Sequence, residues 1–105
     1  RIIKYAAVVA LGVYLLLLIY FSLRASEPGQ GGFSDKILHF AVYGGLTALW
    51  AAALPRSKLF SILIAVSLVG ASLEIAQGVF SVNRTASLLD QLANMAGAAF
   101  MLLIW

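Results

Sequence analysis

YAAVVALGVYLLLLIYFSL, residues 5–23, carries no charged side chain and no proline. A helix crosses about 30 Å of hydrocarbon with roughly 20 apolar residues, at about 1.5 Å each, so this stretch can span a bilayer. Arg1 and Lys4 stand in front of it, as they would in a signal peptide. The stretch outruns the roughly 7–15-residue apolar core of such a leader and lacks an A-x-A-like exit, so it reads as a retained helix. The chain opens on Arg1 rather than Met, and further residues are expected before it.

The rest of the chain has the same character. Of 105 residues, 63% are hydrophobic and 10% charged, with a mean hydropathy of +1.01. That is a membrane composition. The net charge of +3 does not point to nucleic acid, because the cations sit between apolar runs, where Lys and Arg anchor helices at the interface. Without cysteine, neither disulfides nor thiolate metal sites are available.

After the first block, RASEPGQGGFS breaks the helix with Pro28 and three glycines. Ser34 or Asp35 can cap a second helix over about 36–54, which stops at Pro55. PRSK makes a basic turn, a third helix covers about 59–80, SVNRTA turns again, and a fourth helix covers about 88–105. The expectation is an all-α integral membrane protein, a bundle of four transmembrane helices forming one domain over 1–105. The first helix is Leu-rich and is expected to face lipid. The others carry small residues at four-residue spacing, Gly44/Ala48/Ala52, Ser67/Ala71 and Ala93/Gly97, which lets backbones approach. Arg1, Lys4, Arg56 and Lys58 fall on one side with no acid, while Arg24, Lys36 and Arg84 share the other with Glu27, Asp35 and Asp90. Both termini are therefore expected in the cytoplasm.

With that orientation the unusual polar residues gather at the outer ends of three helices. Lys36, His39 and Tyr43 share a face of helix two, with Asp35 one turn from His39. Gly70, Glu74 and Gln77 share a face of helix three, and Asp90, Asn94 and Gly97 a face of helix four. Tyr43, Glu74 and Asn94 each fall roughly 9–11 Å below the outer boundary, with Arg84 in the turn above. A single outward-facing polar cleft is the result. Plainer roles stand beside this one: Asp35 and Lys36 as cap and snorkelling amine, Asp90 as half of a capping box with Ser87, His39 and Tyr43 as interfacial amphipaths, and Asn94 as glue between helices. Glu74 fits a plain role least, since an acid two turns inside hydrocarbon costs roughly 2–3.5 kcal/mol on insertion scales unless paired or neutral. Pairing with Arg84 would satisfy it.

These residues carry a resemblance. DKILHFAVYGGL (35–46) is similar to the D-K-x-x-H-F pattern, followed by Tyr, of the VanZ-like membrane proteins, a family named after a teicoplanin-resistance determinant of glycopeptide-resistant bacteria. GASLEIAQGVFSVNRTASLLDQLANMAGA (70–98) resembles the same family's E-x-x-Q, then R, then D-x-x-x-N-x-x-G. The match covers helices two to four and departs at Val82-Asn83, where many members have Pro-Gly. Asn also tolerates a left-handed turn. The resemblance implies a bacterial inner-membrane protein of the cell envelope, linked in one member to lowered teicoplanin sensitivity, and carries over no mechanism.

The chemistry must come from the residues. Lys36 and Arg84 could hold the phosphate of an anionic lipid-linked precursor or head group, and His39 and Glu74 could exchange protons. No Ser or Cys nucleophile has an evident base, so binding or shielding is favoured over catalysis, and no cofactor is expected. Glu74, Asp90 and His39 could ligate a divalent cation, but acid-rich spacing is missing and no metal is assigned. His39 as axial ligand of a pigment fits less well than its place in the cluster. The alternative is an accessory structural subunit of a larger membrane complex, its polar residues locking the helices together. Charges on one side only offer no continuous path for transport.

Overall fold

The computed structural model describes residues 2–23, 33–80 and 88–105. Four helices account for nearly all of them: α1 Ile2–Leu23, α2 Phe33–Ala53, α3 Leu59–Phe80 and α4 Leu88–Ile104. Among the described residues there is no strand. The boundaries follow the expected ones, with α2 beginning three residues earlier than 36 and ending one before 54. Its early end has a local cause. The Pro55 ring disfavours helical backbone at Leu54, and Pro55 itself is extended at φ −62° and ψ 153°. Lys58 N–H then donates to the Pro55 carbonyl at 2.9 Å, closing the 3-10 turn Arg56–Lys58, and Leu59 returns to helical angles. The basic turn is pinned further, since Arg56 Nη1 donates to the Trp105 carbonyl at 3.1 Å, tying it to the C-terminal end of α4.

Helix α2 makes its most extensive contact with α4, and α3 packs on both. Tyr43, Leu46, Ala51, Ile62, Val66 and Ala98 form the buried apolar core among these three helices. The α2–α4 crossing is close because Gly97 faces backbone. A methyl group at 97 would overlap the Phe40 carbonyl oxygen and lie 2.9 Å from its carbon, while one at Gly44 would meet the Gly97 carbonyl oxygen at 3.5 Å. The expected small-residue row 44/48/52 holds at Gly44 and has left the interface by Ala52, which is exposed. Four-residue steps drift about 40° each on a helix of 3.6 residues per turn, which carries position 52 out of the contact.

Helix α1 lies outside this core. It packs against the core from outside through Leu11, Tyr14, Leu15 and Leu18, and Ala7 alone of its described side chains is buried. Tyr14 supplies a polar contact that charge patterning does not reveal: its hydroxyl donates to the Val42 carbonyl at 2.6 Å. Gly45 accommodates this, as a methyl there would come 2.7 Å from the same hydroxyl. Among the described residues two segments are long and apolar enough to cross a membrane, 3–23 on α1 and 56–79, which includes most of α3. In the former only 6% of the residues are buried, so its apolar surface is not the face of a soluble core helix.

The contrast between glycines gives a test. Gly97→Ala should lower stability by about 1–3 kcal/mol, because α2 and α4 must separate to admit the methyl group. Gly12, with nothing within 4 Å of the equivalent methyl, should tolerate Ala without loss. Thermal unfolding of both variants in one detergent would show the difference, and equal midpoints would contradict the close crossing.

Candidate functional site

The crossing at Gly97 brings the first turns of α2 and α4 together. Paired positions rise together along the two helices, Lys36 with Asp90, His39 with Asn94 and Phe40 with Gly97, so the helices run parallel at this end. Lys36 Nζ donates to Asp90 Oδ1 in an ion pair, with 26% of the Lys36 side chain exposed and Asp90 buried. Asp90 Oδ2 faces His39 Nε2 at 3.5 Å. His39 Nδ1 lies 2.7 Å from Asn94 Oδ1.

A run of hydrogen bonds fixes which nitrogen of His39 carries a proton. The Ser67 carbonyl can only accept, so Gln91 turns its amide nitrogen to it, at 2.9 Å. That leaves Gln91 Oε1 to accept from Asn94 Nδ2, at 3.2 Å. Asn94 therefore presents its oxygen to His39, whose Nδ1 must donate. The ring is held with Nε2 turned to the acids. Gly70 makes room for this network in α3: a methyl there would lie 2.6 Å from Gln91 Oε1 and 3.0 Å from Asn94 Nδ2. Tyr43 closes the inner side, its ring within 15° of parallel to that of His39.

Glu74 completes the group from α3. It is buried, and one of its carboxylate oxygens lies within 4.8 Å of donor atoms of both His39 and Asp90. The sequence names His39, Glu74 and Asp90 as possible ligands of a divalent cation and assigns no metal for want of closely spaced acids. The three side chains come from three helices, and their ligand atoms lie within 4.8 Å of one another. Gln77 is buried as expected, but its amide nitrogen donates to the Ser22 carbonyl at 2.7 Å and joins α3 to α1. Arg84 lies outside the described residues, as do the loop 24–32, the turn 81–87 and the side chain of Asp35. The Glu74–Arg84 pair and the Ser87 capping box therefore lie outside them too. Ser67 and Gln91 are additions to the sequence-derived set. Gln91 had a signal, since it stands three residues before Asn94 and so shares its face.

Comparison with family models, with curated proteins and with solved structures finds no match to this chain.

The Lys36–Asp90 pair should be energetically coupled. Lys36→Met alone takes a counter-charge from a buried carboxylate and should cost about 1–3 kcal/mol, less than for a fully buried pair because Lys36 is partly exposed. In the Asp90→Asn background the same substitution should cost markedly less, which a double-mutant cycle of unfolding free energies would register. Additive costs would show that the two side chains do not interact.

Proposed function

We propose that the chain is a VanZ-like protein of the bacterial inner membrane, crossing it four times with both termini in the cytoplasm. On this reading its outward-facing polar site binds the anionic head group of a membrane lipid or lipid-linked envelope precursor. What supports insertion is an inverted distribution of side chains. Thr47, Glu74, Gln77, Asp90 and Asn94 are buried, while Ile3, Val9 and Leu16 of α1, Phe60, Leu68 and Val79 of α3, and Leu88, Leu92 and Leu103 of α4 are exposed. Water would impose the opposite arrangement. Helices α2 and α4, at 21 and 17 residues, also have the length for a span in a thin or locally adapted bilayer.

The observation that carries the binding reading is the position of Lys36. It is the most exposed member of an otherwise buried ionic group, so its ammonium stands where a phosphate could reach it while Asp90, His39 and Glu74 remain behind. A lysine can swing between Asp90 and an arriving anion, since its compact charge sits on a flexible stem. Recognition or shielding of the head group is favoured over catalysis, because the sequence offers no Ser or Cys nucleophile with an evident base.

A structural subunit of a larger membrane complex is the second reading, and one observation favours it. Among the described residues every buried side-chain nitrogen and oxygen has a hydrogen-bond partner, as expected of a helix lock. Native mass spectrometry of gently extracted protein separates the two. A head-group lipid retained by wild type and lost on Lys36→Ala, at unchanged protein abundance, is the expected outcome. A stoichiometric protein partner with no bound lipid would make the subunit reading the correct one.

A further inference from the structure

We propose that His39, Glu74 and Asp90 form a binding site for one divalent transition-metal ion of the Zn2+ or Mn2+ class. Three helices each deliver one donor, and the donor atoms lie within 4.8 Å of one another. Ligands on opposite sides of an ion at about 2.0–2.2 Å are about 4 Å apart, so small rotations of two carboxylates close the distance. One imidazole with two carboxylates, and no thiolate in the chain, is a donor set for Zn2+ or Mn2+ and not for Cu+.

The hydrogen-bond run from Ser67 supplies the second reason. It assigns the Nδ1 proton to Asn94 and turns Nε2 toward Asp90 Oδ2. Nε2 is thereby the ring nitrogen turned to the carboxylates and placed to ligate an ion. A carbonyl oxygen holding the far N–H is the orienting partner that metal-bound histidines have, and here it is itself held by Gln91. Lys36 engages Oδ1 of Asp90, so the oxygen facing His39 is the other one. The ion would bind whether or not a lipid head group does.

The test uses the full chain in detergent or nanodiscs, without a histidine tag, stripped with chelator and titrated with ZnCl2 and, separately, MnCl2. One ion per chain by calorimetry and elemental analysis is expected for at least one metal, with loss in His39→Ala and Glu74→Gln and about 10–100-fold weaker binding in Asn94→Ala. Because His39 is the only histidine, 15N spectra of histidine-labelled protein give a second readout on wild type alone. With ZnCl2 present, Nδ1 should remain protonated and Nε2 should shift as a metal ligand. Absence of stoichiometric uptake of either metal overturns the site. So does an Nε2 that stays protonated when Zn2+ is taken up, or uptake unchanged in folded His39→Ala and Glu74→Gln proteins. If these variants do not fold, the wild-type titration and spectrum still decide.

Discussion

The approach of Gly97 to the Phe40 backbone is the constraint on which the other polar contacts depend. At this distance α2 and α4 meet with almost no side chain between them. The register that results places Lys36 opposite Asp90 and His39 opposite Asn94. On the proposed membrane reading there is little hydrophobic drive for these helices to associate, and close van der Waals packing with polar pairing takes its place. The glycine and the ion pair are two parts of one device, since a helix pair held further apart could not close the short bonds on which its polar residues rely.

Direction is the second feature that organises the site. Ser67, Gln91, Asn94 and His39 pass donor to acceptor in one sense, beginning at a backbone carbonyl that has no choice of role. Reversing either amide would set oxygen against oxygen or nitrogen against nitrogen at about 3 Å, which a low-dielectric interior penalises by more than the bond is worth. A ring nitrogen on α2 is thus set by a carbonyl on α3 through two side chains of α4. Gly70 permits this, because any side chain there would occupy the space of Gln91 and Asn94.

Much of the fold and part of the site were legible in the sequence, for identifiable reasons. Helix ends follow from Pro55 and from interrupted hydropathy, and these are local. The grouping of Lys36, His39 and Tyr43 on one face, and of Asp90 with Asn94, follows from helical period alone. Which faces meet is not local, and that accounts for the differences. Gln77 has the spacing to join Glu74 but serves Ser22 of α1. Tyr14 carries no spacing signal of its own, and its hydroxyl donates to the Val42 carbonyl of α2. His39, Glu74 and Asp90 could be named from the sequence, but with one of them on each helix only the packing shows their ligand atoms within 4.8 Å of one another. Gln91 was legible by its spacing to Asn94 and is a polar residue whose partner lies in another helix.

Charge explains why this cluster is suited to receiving something. Counting Glu74 and Asp90 as carboxylates and Lys36 as its ammonium, the described ionic group carries one negative charge more than positive while His39 is neutral. Low dielectric strengthens every electrostatic contact inside such a group, so what stands on the face of His39 that looks at the acids weighs heavily on it. A proton there brings the sum to zero and leaves a closed internal lock. A divalent ion overshoots to positive and makes the site attractive to an anion approaching past Lys36. The difference between the two states lies at a single ring nitrogen that α3 and α4 together hold in place.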